Sequence, residues 1–278
     1  MGSAIRVGVV GGGGWLGSAI VEAMLNAGIV EERNLSLSYR RKKPERFPGA
    51  FWTPDSQALA DRCDVIILSV RPQDWPVLNL DAAGKLTISV MAGIPLAAIC
   101  DRHGTRRAVR TIPNAAAEVG LSYTPWIATA ETTEDDRSIV RAVFEACGAQ
   151  DEVASERDLD YLTGLAGSGP AFPALLASAM VDHAVSFGLS RTIAEKAALT
   201  VLTGAGRLLE PRRQTPDQVV DVFLEYRGTT AAAIEAMRDR GFDSAVAWGL
   251  QRAFERSQAL GLSSSEVGET GETGRRSS

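Results

Sequence analysis

The stretch "VGVVGGGGWLGSAI", residues 7–20, decides the fold. It begins inside "IRVGVV" (5–10), an apolar, β-branched run that reads as a buried strand. It ends in "SAIVEAMLNAG" (18–28), where apolar residues recur at helical spacing and a glycine marks the stop. Between the two lies Gly12-x-Gly14-x-x-Gly17 or, equally, Gly11-x-Gly13-x-x-x-Gly17. Glycine lets the backbone turn sharply and lets a pyrophosphate approach with no Cβ in the way. The helix behind it offers unpaired N–H groups and the positive end of its dipole. In this strand–turn–helix setting the pattern is a dinucleotide-binding signature, with a purely structural glycine turn as the alternative. The residues expected to hold the cofactor are Gly11, Gly13, Gly14, Trp15, Leu16 and Gly17.

Outward from this unit the chain keeps alternating. "NLSLSYR" (34–40), "DVIILSV" (64–70), "LTISVMAG" (86–93) and "RAVRTIPN" (107–114) read as further strands. Such alternation predicts βαβ units and a parallel sheet covered on both faces, an α/β Rossmann domain over residues 1–153. From about Ser155 the β-branched runs give way to alanine-rich helical segments at 156–165, 172–188, 193–209, 216–226, 230–240 and 242–259. An all-α domain is expected over 154–262, with the boundary near Ala154. The polar, glycine-rich tail, 263–278, is expected to be disordered.

The end of the second predicted strand sets the cofactor. An NAD site places Asp or Glu there to hold the ribose hydroxyls. This chain has "SYRRKKP", with Ser38, Arg40, Arg41 and Lys42. A hydroxyl and guanidinium groups suit a ribose 2′-phosphate, so NADPH is expected, with NADH as a second option. A solvated basic loop is the bland alternative.

Composition narrows the class. The chain has 278 residues, is 45% hydrophobic and carries a net charge of −5, with basic and acidic residues interspersed. That argues against nucleic acid or an anionic membrane as the partner. Cys63, Cys100 and Cys147 form no CxxC pair, so neither a disulfide framework nor a zinc site is expected, and a reducing cytoplasm fits. His103 and His183 are too few and too separated for a metal centre. No signal-peptide layout is read at the N-terminus, and no apolar run is read as reaching the ~20 residues of a membrane helix.

Several segments resemble the pyrroline-5-carboxylate reductase family. "DVIILSVRPQ" (64–73) resembles its apolar strand ending in a Val-Lys-Pro turn, and "ISVMAGIPL" (88–96) its Ile-Ser-x-x-Ala-Gly-Ile stretch. "VRTIPNAAAEVG" (109–120) resembles its Arg-x-Met-Pro-Asn-Thr-Pro segment, and "GLAGSGPAF" (164–172) its Ser-Gly-Ser-Gly-Pro-Ala block. "RGTTAAAIEAMRDRGF" (227–242) resembles the helix after its Gly-Gly-Thr-Thr turn. The resemblance implies a Rossmann domain followed by a helical domain that interlocks with a second copy, so a homodimer or higher homo-oligomer. It adds Ser69, Val70, Arg71, Pro72, Ala92, Gly93 and Asn114 to the expected cofactor contacts. It implies reduction of 1-pyrroline-5-carboxylate to proline. A paralogue acting on a modified or larger imino acid, or a catalytically silent NADPH-binding protein, stands as the alternative.

A cyclic imine is electrophilic, so the protein must supply orientation, a dry site and a donor near the nitrogen. The substrate carboxylate needs an anion site, and "FLEYRGTT" (223–230) leads into one. Gly228 permits close approach, and the first N–H groups of the following helix point outward. By resemblance Thr230 bonds the ring nitrogen; as plain sequence, Thr229 or Thr230 would be a helix cap. The family has Thr/Ser-Ser-Pro-Gly-Gly where this chain has Leu224, Glu225, Tyr226, Arg227 and Gly228. Arg227 is read as an added carboxylate ligand and Tyr226 as a wall, against drift toward solvent or a partner. Arg71 stands where the family often has lysine, and a guanidinium cannot donate a proton at neutral pH.

Overall fold

The computed structural model describes residues 5–210 and 214–269, with backbone alone for 261–269. Eight strands form one sheet: β1 (Val7–Val10), β2 (Leu35–Ser38), β3 (Phe51–Thr53), β4 (Val65–Leu68), β5 (Leu86–Ser89), β6 (Arg107–Thr111), β7 (Ser122–Ala128) and β8 (Gly148–Glu152). Their spatial order is β3-β2-β1-β4-β5-β6-β7-β8. The helices α1 (Trp15–Asn26), α2 (Ser56–Ala60), α3 (Leu96–His103) and α4 (Glu134–Ala146) punctuate it. The first six strands follow the dinucleotide-binding order, with the switch point at β1 between β2 and β4.

The expected parallel sheet needs one correction. β6 and β7 pair antiparallel, while the other neighbours are parallel. Only a short 3₁₀ turn, Ala115–Val119, joins β6 to β7. Without a crossover helix the chain can only return antiparallel. β3, β7 and β8 lie outside the predicted runs. β7 carries Pro125, and β8 reads "GAQDE" at the sheet edge, so neither shows a continuous apolar signal.

The buried strands feed both faces by simple alternation. Val65 and Ile67 of β4 join the core under α1 and α4, with Ile20, Met24 and Phe144. Ile66 and Leu68 join the opposite core, with Leu59, Trp75 and Ile99. Gly8 of β1 leaves room there: a Cβ would lie 2.5 Å from Leu59 Cδ2 and 2.8 Å from Cys63 Sγ, so those side chains would have to shift.

The helical part comprises α5 (Glu156–Leu162), a π-helical turn (Thr163–Gly167), α6 (Ala171–Phe187), α7 (Arg191–Leu209), α8 (Pro216–Glu225), α9 (Thr229–Asp239) and α10 (Phe242–Glu269). Its boundaries follow local chemistry. Gly188 ends α6 at φ 110°, Ser190 caps α7, and Thr215 with Gln218 forms a capping box on α8. α10 continues to Glu269, past residue 259 where the apolar period fades. Residues 270–278, the rest of the tail expected to be disordered, lie outside the described residues. One run, Glu156–Ser186, is long and apolar enough by length and composition to cross a membrane, with hydropathy 1.3, contrary to the reading of the sequence. Its charges cluster at Glu156–Asp160 and its glycines at 164–169, which hides the apolar remainder from a simple count of consecutive residues.

Two compact units result. Met1–Ser168 with Arg252–Ser278 form the first, and Gly169–Gln251 the second. α5 therefore groups with the sheet, and the reason is electrostatic. Arg110 on β6 is only 2% exposed. Its guanidinium meets Glu156 of α5 at 3.2 Å and also pairs with Asp160. Glu156 Oε1 accepts from Leu96 N–H at 2.9 Å, and Ser257 of α10 donates to Asp160 at 3.1 Å. One buried cation thus fastens a strand, α5 and the end of α10. Removing one member of a buried ion network costs roughly 3 kcal/mol or more because the charges left behind stay desolvated. Arg110→Leu should lower the unfolding free energy by about 3 kcal/mol in urea melts. Arg6→Ala, which breaks the exposed pair with Asp64, should change it little. Similar losses in the two variants would refute a special role for the buried network.

Candidate active site

The glycine turn is shaped by two neighbours. Gly11 has φ 85°, and a Cβ there would overlap the Ser69 carbonyl at the end of β4. Its N–H donates to Ser38 Oγ at 2.8 Å, at the end of β2. Gly14 N–H closes the turn on Gly11 O at 2.8 Å. A Cβ on Gly17 would lie 2.5 Å from that same Gly11 oxygen, so α1 is drawn against the turn. Gly11 and Gly17 are the positions where glycine is obligatory, and both belong to the second of the two spacings. Gly13 N–H reaches Ser38 O at 3.3 Å. Gly14 is the N-cap of α1 with extended backbone and no capping side chain. The first N–H groups of α1, on Trp15, Leu16 and Gly17, thus have neither an intrahelical acceptor nor a cap. Trp15 is 59% exposed, and its indole N–H donates to the Glu118 carboxylate. This cradle, which a Cβ would fill, fits a dinucleotide pyrophosphate.

The ribose end differs in detail from the sequence reading. Ser38 is buried, and its oxygen accepts from Gly11 N–H, so it first of all braces the turn. Arg40 is not a loose surface charge: its Nη2 lies 2.6 Å from Asp74 Oδ2. Arg71 Nε lies 2.8 Å from the same oxygen. Hydrogen bonding from Arg71, then Arg40, holds the Asp74 carboxyl below its usual range, and Asp74 holds Arg71 above its own. A guanidinium held by a carboxylate keeps its positive charge at position 71. Asp74 was not legible as a site residue; its only signal is an acid three positions after an arginine. Arg41 lies beside Arg40 and is exposed.

Ser69, Val70, Arg71 and Pro72 form the lip beyond β4, where Ser69 N–H bonds Val10 O at 2.8 Å and Pro72 opens a 3₁₀ turn, Pro72–Val77. Ala92 and Gly93 follow β5, with Gly93 at φ 78°. Asn114 is buried and fully engaged. Its Oδ1 accepts from Ala116 N–H at 2.9 Å, and its Nδ2 donates to Ala166 O at 3.0 Å. It positions the π-helical turn. A Cβ on Gly167 would lie 2.8 Å from Ile112 Cγ2, so the "GSGP" turn begins tight against the end of β6. Such π turns concentrate at functional sites.

In the second unit, Tyr226 ends α8 and is 88% exposed. Arg227 follows at φ 49°, in the left-handed region. Gly228, where glycine freedom was expected to matter, is extended (φ −95°, ψ −158°) and is itself the N-cap of α9, with no capping side chain. Thr229 and Thr230 are the first two helical residues, so neither hydroxyl serves as the cap that the plain sequence reading offers. Both are exposed beside the open N-terminus.

The sheet order and the glycine cradle define a dinucleotide-binding protein of the Rossmann class. Residues 156–260 match the model described as pyrroline-5-carboxylate reductase dimerisation, and residues 6–93 that of NADP oxidoreductase coenzyme F420-dependent. A pyrroline-5-carboxylate reductase of Synechocystis is 32% identical over 270 residues, covering 92% of this chain and 98% of that protein. One of Thermus thermophilus is 31% identical, covering 90% and 97%. The crystal structure of Plasmodium falciparum pyrroline carboxylate reductase with NADP bound superposes with a TM-score of 0.81 at 25% identity, over 92% of this chain and 98% of that one. The chain belongs to the pyrroline-5-carboxylate reductase family. Its cofactor is NADPH, and residues 156–260 carry the family's dimerisation region.

A left-handed arginine costs roughly 1 kcal/mol that glycine does not. Arg227→Gly should therefore raise the unfolding free energy by about 0.5 to 1 kcal/mol in thermal or urea melts. A loss of stability instead would show that the Arg227 side chain holds the turn.

Proposed function

We propose that this chain reduces 1-pyrroline-5-carboxylate to proline with NADPH, in the reducing cytoplasm, as at least a homodimer. The observation that carries the reading is the start of α9, where an uncapped helix N-terminus carries two threonine hydroxyls free of capping duty. Its N–H groups and dipole suit a carboxylate. Thr230, one residue further in, serves as the donor toward the ring nitrogen. The bound cofactor supplies the hydride, while the protein supplies orientation, charge complementarity and exclusion of water. Gly11, Gly13, Gly14 and Gly17 make room for the pyrophosphate, and Arg40 and Arg41 supply charge for the 2′-phosphate. Arg71, tied to Asp74, serves binding rather than proton transfer.

The second unit supports assembly. Its described buried apolar residues are few and small, chiefly Ala177, Val181, Ala194 and Ala198, while Phe172, Leu175, Phe187 and Leu199 are exposed. Exposed apolar surface on this scale calls for a partner, and a second copy is the occupant the family's dimerisation region implies. Sedimentation equilibrium should return a mass at least twice 29.5 kDa; a monomer would remove the dimer from the proposal.

The left-handed backbone at Arg227 favours a second reading, a reductase of a modified or larger imino acid. Comparing turnover of pyrroline-5-carboxylate with bulkier cyclic imines separates the two. For either substrate, Thr230→Ala should lower kcat at least about tenfold, within the usual range for removing a positioned donor. Its melting temperature should stay within about 2 °C of the parent, as expected for an exposed site that makes no cap. Equal damage to stability and turnover would make Thr230 structural only.

A further inference from the structure

We propose that Asp74 is a positioning residue for the cofactor's 2′-phosphate, holding Arg40 and Arg71 as a preformed two-pronged anion clamp at the carboxyl ends of β2 and β4. The inference rests on the NADPH reading and adds a residue to it.

The topology comes first. β1 lies between β2 and β4, and the glycine turn leaves its carboxyl end. Arg40 stands two residues beyond β2. Asp74 stands in the 3₁₀ turn that follows β4. Their 2.6 Å ion pair therefore spans the mouth above the turn from one flanking strand to the other. Arg71 comes to the same carboxylate oxygen, at 2.8 Å.

The charge balance comes second. Two guanidiniums share one carboxylate, which leaves a net positive charge at this point. The Asp74 side chain is 19% exposed, while those of Arg40 and Arg71 are 61% and 64% exposed. The acid is recessed and the cations face outward. Each guanidinium carries five N–H donors. Arg40 uses Nη2 on Asp74, and Arg71 uses chiefly Nε, so each keeps an edge for a second acceptor. A phosphomonoester, with close to two negative charges and three acceptor oxygens, is the ligand that matches such an arrangement.

The entropy comes third. Arg40 sits on a connection, residues 39–50, with no regular structure. A long side chain on such a connection loses rotamer freedom when it grips a ligand. Anchoring it on Asp74 beforehand moves that loss out of the binding step. An exposed ion pair does little for stability, so preorganisation is the effect that remains for it.

The test measures binding and does not depend on imine reduction. Adenosine 2′,5′-bisphosphate and ADP are titrated by calorimetry into the full-length protein and its Asp74→Ala and Asp74→Asn variants. The wild type should prefer the bisphosphate. Asp74→Ala should weaken the bisphosphate about tenfold and leave ADP within about twofold, as expected for a lost charge-assisted contact geometry. Asp74→Asn, which keeps an acceptor for one arginine, should fall between. In steady-state kinetics the Asp74→Ala variant should raise KM for NADPH with kcat unchanged. Bisphosphate affinity that is unchanged or tighter would overturn the proposal, because Asp74 would then be idle or a competitor. Equal weakening of both ligands would also overturn it, by making Asp74 merely structural. A wild type without preference for the bisphosphate would instead sink the NADPH reading on which it rests.

Discussion

A single backbone carbonyl sets the dimensions of the cofactor half. Ser69 O, just past β4, sits where any Cβ on Gly11 would have to go. Gly11 also has φ 85°, so only glycine fits there, and the chain leaving β1 is folded back on itself. That fold brings Gly11 O against Gly17, which pulls the start of α1 to the turn. The Ser38 hydroxyl fixes the same residue from the other side. The β1 turn is thus wedged between the ends of β2 and β4, and the open N-terminus of α1 points over the switch point of the sheet. The Arg40–Asp74–Arg71 cluster bridges the two flanking strands above this wedge, and the Gly93 and Asn114 turns follow β5 and β6.

Much of this was legible in the sequence because it rests on local rules. Glycine after a β-branched run, apolar alternation and the absence of an acid after β2 each have a short-range physical cause. The partners that lock the site were not legible. Asp74 meets Arg40 across 34 positions, and Asn114 meets Ala166 across 52. No periodicity encodes such meetings. β8 escaped for a different reason: an exposed edge strand needs no apolar residues, so its pairing with β7 leaves no trace in composition.

The turn before α9 divides its roles in a way the residues alone leave open, with Gly228 read as the place of close approach and Arg227 as a side chain in a glycine's position. Gly228 is extended and the left-handed conformation falls on Arg227. The left-handed position is thus held by a residue type that adopts it only at a steric cost.

The Arg110 network also bears on how the molecule can be divided. A boundary drawn at residue 153, where the composition changes, would sever Arg110 from Glu156 and Asp160, which neutralise it, and from Ser257, which donates to Asp160. The excised cofactor half would carry Arg110 without either of its counter-charges. The nucleotide-binding half is therefore not a portable module. Chimeras and truncations that preserve it must carry α5 and the returning end of α10 along with it.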